Sequence, residues 1–100
     1  MNTLKIEPRE ARAQNVSISD DTLTVELQDG RTVSAPIAWY PRLLHGTPAE
    51  RKNWRLIGGG FGIHWPNLDE DISVEGLLKG YPSNESPTSI QRWLDQRRHV

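Results

Sequence analysis

The sequence predicts an α+β domain, a small antiparallel β-sheet with two or three short helices, and three observations carry that prediction. Apolar residues alternate along residues 15–35, a glycine triplet at 58–60 separates two aromatic-rich alternating segments, and helix-capping signals recur between the strands. The chain of 100 residues suits one domain, and its 35% hydrophobic and 25% charged content is compatible with a modest core.

From the N-terminus, Leu4 and Ile6 alternate ahead of Pro8 and a charged run, which predicts a short edge strand and a connection over residues 1–14. A three-stranded meander follows: Val16 and Ile18, then Leu23, Val25 and Leu27, then Val33 and Ala35. Side-chain parity sets the register, because a slip of one residue turns every side chain to the opposite face. A two-residue Asp20-Asp21 loop sets Ile18 opposite Leu23 and Val16 opposite Val25. A two-residue Asp29-Gly30 loop would put Val33 opposite Glu26, whereas a three-residue Gln28-Asp29-Gly30 loop with Gly30 left-handed puts Val33 opposite Val25.

Pro36 ends the meander, and Ile37 to Leu44 (IAWYPRLL) allows only a helical turn or an irregular connection around Pro41. Thr47-Pro48-Ala49-Glu50 has the spacing of a capping box with proline at the first helical position, so a short helix runs to about Asn53. A Gly59-Gly60 turn then pairs Leu56 with Ile63 and Trp54 with Trp65, and gathers Trp54, Leu56, Phe61, Ile63 and Trp65 on one face. After Pro66 and the acidic triplet Asp69-Glu70-Asp71, Ser73 caps a helix carrying Val74, Leu77 and Leu78 on one side, with Gly80 as its stop. These strands add up to a single sheet of five or six.

Residues 1–80 thus form the domain, 81–88 (YPSNESPT) a linker, and 89–100 a C-terminal amphipathic helix, its first turn prepared by Ser86 and Pro87 and its apolar side made of Ile90, Trp93 and Leu94. The linker has no large aliphatic residue to tie it down, and a helix this short is marginal on its own, so it needs a docking surface. That surface is either its own domain, at the aromatic sheet face or the Leu77-Leu78 helix, or another chain. Arg92, Arg97 and Arg98 flank Trp93 and Leu94 and complement Asp69, Glu70 and Asp71, which favours another chain: a small partner protein, or a second copy in a homo-oligomer.

Composition bounds the chemistry. The absence of cysteine excludes disulfides, thiolate-bound zinc and thiol catalysis, and suits a reducing cytoplasm. No signal peptide and no apolar run of roughly 20 residues is present, so no membrane role is expected. A net charge of −1 gives no global field for nucleic acid; a local patch of Arg51, Lys52, Arg55, Lys79 and the C-terminal arginines, with the Trp-rich face for stacking, is the alternative reading.

The glycine run lacks the helix or Lys-Ser/Thr that a phosphate loop requires and reads as a hairpin turn. His64 with the acidic triplet lacks both the loop spacing of a hard-cation site and a second histidine for zinc, because His45 and His99 lie in unrelated segments. Carboxylates placed just ahead of a helix answer to its dipole. Ser73, His64 and Asp69 supply the residue types of a catalytic triad without a nucleophile elbow around Ser73. No catalytic, cofactor or metal residue is assigned, and a non-enzymatic role is expected.

The segments Tyr40-Pro41-Arg42-Leu43, Asn53-Trp54, Gly60-Phe61-Gly62-Ile63-His64-Trp65-Pro66 and Leu68-Asp69-Glu70-Asp71-Ile72-Ser73-Val74 resemble the family known as domain of unknown function 2442, over roughly residues 14–80. The resemblance implies an α+β fold and a binding or regulatory role. Members occur alone, fused to a helix-turn-helix domain, or encoded beside a second small protein in toxin–antitoxin-like pairs. It therefore implies the antitoxin-like half of a two-protein bacterial system, with no catalytic residue to carry over. The 20 residues after Gly80 are too few for the fused form's helix-turn-helix, and the Trp93 helix lies outside the resemblance.

Overall fold

The computed structural model describes residues 10–98, so the expected edge strand around Leu4 and Ile6, and His99, lie outside the described residues. Six strands form two separate three-stranded antiparallel sheets, one of β1 (Ala13–Ile18), β2 (Thr22–Leu27) and β3 (Thr32–Pro36), the other of β4 (Arg55–Ile57), β5 (Gly62–Trp65) and β6 (Glu70–Ser73). This corrects the single sheet expected from the sequence. Proline and the helical turns of residues 37–52 intervene between β3 and β4, so the two halves meet through side chains instead of a shared ladder.

The meander has the register that parity demands. Val16 faces Val25, Ile18 faces Leu23, Val33 faces Val25 and Ala35 faces Leu23. The second turn is the three-residue loop, with Gly30 at φ 95 and Leu27 N–H donating to the Arg31 carbonyl at 2.8 Å. Strand β1 begins two residues earlier than its alternation suggests, because a bulge between Ala13 and Asn15 resets the pleat and brings Ala13 to the same buried face as Val16.

In the second sheet Leu56 faces Ile63 and Arg55 faces His64, the register expected of a turn centred on Gly59-Gly60, and the ladder ends at Ile57 and Gly62 on a loop in which Gly58, Gly59 and Gly60 have φ 60, 70 and 102. Three successive left-handed residues call for glycine at each. Gly60 also lies flush on the first sheet: a Cβ there would stand 2.8 Å from the Ala13 carbonyl oxygen. Of the five residues expected on the buried face, Ile63 and Trp65 are fully buried and Trp54 and Leu56 pack partly against the core. Phe61 does not: it is 39% exposed and lies under the Arg12 guanidinium, 4.5 Å from ring centroid to Cζ. It borders the turn, where the sheet ends before there is a partner surface to cover it.

Both sheets feed one core, which includes Leu23, Val25, Leu27, Ile37, Tyr40, Leu43, Ile63, Trp65, Leu68 and Val74. Helices α1 (Pro41–Leu44) and α2 (Pro48–Lys52) lie between the sheets in sequence, and α2 opens on the expected capping box between Thr47 and Glu50. Helix α3 (Val74–Leu78) is capped by Ser73, whose hydroxyl accepts from Gly76 N–H at 2.9 Å. It ends with Gly80 at φ 78 and Tyr81 N–H bonded back to the Gly76 carbonyl.

The long last helix, α4 (Pro87–Arg98), opens on Ser86, whose hydroxyl accepts from Ser89 N–H at 3.0 Å. Residues 81–86 are pinned to the domain by hydrogen bonds and an ion pair, and α4 lies on its own chain with contacts to α1 and α2. The tether is polar, which a search for aliphatic anchors misses.

Candidate functional site

A cleft of about 390 Å³ opens between β6 and the segment that leads from α3 to α4, with Tyr40 and Arg42 at one end. Four carboxylates line it: Asp69, Glu70, Asp71 and Glu85. The acidic triplet was expected in a loop ahead of α3. Instead Glu70 and Asp71 are the first residues of β6, paired with Trp65 and His64. This strand carries Ile72 as its one large apolar residue and shows no alternation to find; it forms because β5 offers it a free edge.

Strand parity then divides the triplet. Glu70 shares the inward face with Ile72, so its carboxylate is drawn toward the core instead of sitting at a helix N-terminus. Its Oε1 accepts from Asp71 N–H at 3.2 Å, while Oε2 is buried without a hydrogen-bond partner. Burial pushes this carboxyl up to about 7, with the negative charges of Glu85 and Asp71 adding to the effect and Arg42 opposing it. Asp71 points outward and pairs with His64 Nδ1 across the β5–β6 ladder. Asp69, at φ 50, turns the chain into β6 and leaves its carboxylate almost wholly exposed. A short aspartate tolerates that left-handed conformation better than most residues.

Arg42 is the cation of the cleft, shared among the Glu85 and Asp69 carboxylates, two backbone carbonyls and the Trp93 ring. Its Nε and Nη2 grip Glu85 at 3.0 and 2.7 Å, and Nη1 donates to the Leu68 carbonyl at 3.2 Å and the Asp69 carbonyl at 3.4 Å. Its guanidinium also lies 5.1 Å from the centroid of the Trp93 ring. Glu85 in turn accepts from Ser89 Oγ at 2.6 Å, and the Arg42 guanidinium holds its carboxyl below the usual range. Burial raises the Tyr40 phenol, and the charge of Glu70 adds to that. Sequence reading missed Arg42, Glu85 and Tyr40 because no local pattern joins residues more than 40 positions apart.

Of the residues predicted to bind a partner, Trp93 and Leu94 are half-buried and Arg92 is exposed. The arginines of α4 do not face the acidic triplet. Arg97 makes a two-point ion pair with Glu50 and lies over Trp93 at 4.6 Å, and Arg98 pairs with Asp95. The basic residues of the alternative reading are scattered in role. Arg51 donates to the Leu43 and Leu44 carbonyls and Lys79 pairs with Glu75, while Lys52 and Arg55 are exposed.

His64 and Glu70 lie on opposite faces of the second sheet, and among the described residues no three histidine, aspartate or glutamate side chains converge as a metal site. Ser73 Oγ is occupied as the cap of α3, and His64 pairs with Asp71, so the Ser73, His64 and Asp69 triad does not assemble. No helix of the described residues is long and apolar enough to cross a membrane.

A crystal structure of a protein of unknown function from Rhodospirillum rubrum superposes with a TM-score of 0.66 at 28% identity, over 76% of this chain and 94% of that one. The solution structure of an uncharacterised protein from Chromobacterium violaceum shares the fold alone, with a TM-score of 0.63 at 19% identity over 82% of this chain and 75% of that one. Among curated proteins, none matches the chain. The model of the family described as protein of unknown function (DUF2442) matches residues 13–83, from the first strand to the far wall of the cleft and short of α4, and the chain belongs to that family.

Proposed function

We propose that this domain is a non-catalytic protein-binding module whose acidic cleft receives a basic segment of a partner chain. One observation carries the reading. Four acidic residues line a concave surface with a single arginine among them, and that arginine is already committed to Glu85, to Asp69 and to backbone carbonyls. The resulting uncompensated negative charge favours a lysine or arginine side chain arriving from outside. The family resemblance suggests where such a partner is encoded, in the neighbouring gene of a two-protein, antitoxin-like system.

Co-expression with that neighbour and pull-down at low and high salt tests the reading. The expected result is co-purification that weakens with salt and is lost in an Asp69→Asn, Asp71→Asn double variant. Binding that ignores both salt and the double substitution would refute it.

A nucleic-acid-binding role draws support from Lys52, Arg55 and the half-exposed Trp54. It predicts salt-dependent binding of single- or double-stranded DNA or RNA. Against it stands the engagement of Arg51 and Lys79 within the domain.

A further inference from the structure

Helix α4 has no fully buried residue along its length. Its attachment combines partial packing of Trp93 against the core with a few polar and aromatic contacts: Arg97 on Glu50, Ser89 on Glu85, and the Trp93 ring near the guanidinium groups of Arg42 and Arg97. A helix with one half-buried anchor and no fully buried residue comes off more easily than one seated by a broad apolar face, because a small number of contacts decides its position. Two of these attachments converge on Arg42, directly through Trp93 and indirectly through Glu85.

Besides Glu85, Arg42 has the exposed Asp69 carboxylate at 3.7 Å and Glu70 within electrostatic range. Glu70 lines the same cleft and has a buried oxygen with no hydrogen-bond partner. The charged and titratable groups around Glu70 are Tyr40 ahead of α1, Arg42 on α1, its neighbours Asp69 and Asp71 along the chain, and Glu85 ahead of α4. Arg42 is the one cation in that set. A protonated Glu70 leaves Arg42 to Glu85, whereas an ionised Glu70 is a partly buried charge with one oxygen unpartnered, and Arg42 is the cation of the cleft that can pair it.

We propose that Arg42 is the catch of a detachable C-terminal strap, with Glu85 and Trp93 holding the closed state and ionised Glu70 competing for the guanidinium and releasing α4. The titration of Glu70 near neutrality, which burial causes, sets release between about pH 6 and pH 8. This inference concerns the chain alone and holds whether or not the cleft receives a partner.

The full chain without a partner provides the test. It contains no cysteine, so Gln96→Cys carries a single nitroxide label, and paramagnetic broadening of the Arg51 and Lys52 amides reports α4 in place. In the labelled wild type the broadening should fall by about twofold or more from pH 6 to pH 8. Adding Glu70→Gln should keep it high at both values, and Glu85→Gln should make it low already at pH 6. Amide signals of β2 and β5 verify that each variant is folded, and Arg42→Lys replaces Glu85→Gln if the latter does not fold. Broadening in the wild type that is constant across this range would overturn the proposal. So would a Glu70→Gln variant that titrates like the wild type, or an Arg42 or Glu85 variant that stays closed.

Discussion

Arg97 reaches 47 residues back along the chain to Glu50, with Nη2 at 2.7 Å from Oε1 and Nη1 at 3.1 Å from Oε2. The same carboxylate accepts from Thr47 N–H at 2.9 Å to close the capping box of α2. One side chain therefore starts a helix and holds another. The guanidinium of Arg97 is the main reason the Glu50 carboxyl falls to about 2, with the Thr47 contacts contributing further.

Replacing Glu50 with alanine should remove both functions and cost roughly 1–2 kcal/mol, the sum of a cap and a partly exposed ion pair. Because the carboxyl lies lower in the folded protein than its ordinary 4.5, its contribution is present above about pH 4.5 and disappears as pH falls toward 2. Chemical denaturation of wild type and variant at neutral pH and near pH 3 checks this. The difference between the two proteins should shrink in acid.

Gly60 should tolerate no side chain. Its φ of 102 is strained for any L-residue, and a Cβ would stand 2.8 Å from the Ala13 carbonyl, a backbone atom that cannot swing aside. Gly60→Ala is expected to destabilise the domain by at least about 2 kcal/mol, read as a lowered Tm, because the turn would be forced away from the first sheet. Gly30 has a similar φ of 95 with open space around it, so Gly30→Ala should cost less, about 1 kcal/mol for the backbone alone.

The contrast between these glycines shows how far the sequence can be read. Val16, Val25 and Val33 betray their strands by alternation, and parity alone selects the loop that contains Gly30. The Gly59-Gly60 register follows from the same rule, but nothing near Gly60 in sequence announces that Ala13 lies against it. Strand β6 has a single apolar residue to mark it, and the polar ties Arg42–Glu85 and Arg97–Glu50 span 43 and 47 positions. Local periodicity carries information about which face is buried. It carries none about which charges meet across the fold, and the cleft is made of such meetings.

Trp65 is fully buried and its indole N–H donates to the Arg51 carbonyl at 3.0 Å, tying β5 to the last turn of α2. Trp65→Phe keeps an aromatic ring but leaves that carbonyl unpaired and opens space in the core. The expected loss is about 2–3 kcal/mol, measured by urea denaturation. The half-buried Trp54, changed to Phe, should cost about 1 kcal/mol or less, since its ring is only partly withdrawn from water.

Glu70 is expected to make the domain weaken as pH rises, opposite to the effect of Glu50. Its carboxyl is raised in the folded protein to about 7 against an ordinary 4.5, so between these values the folded chain binds more protons than the unfolded one. The stability this confers is fully present below about pH 4.5 and is lost by the time pH has passed 7. Glu70→Gln keeps the shape and a hydrogen-bonding head while removing the ionisation. It should leave stability near pH 5 little changed and raise it at pH 8 by on the order of 1 kcal/mol, a figure kept small because the side chain is partly reached by solvent. Urea midpoints at the two pH values separate this from a packing effect, which would shift both midpoints alike. A carboxylate held partly buried beside Arg42, with one oxygen unpartnered, is less stable ionised than protonated, and the difference between those midpoints measures that penalty.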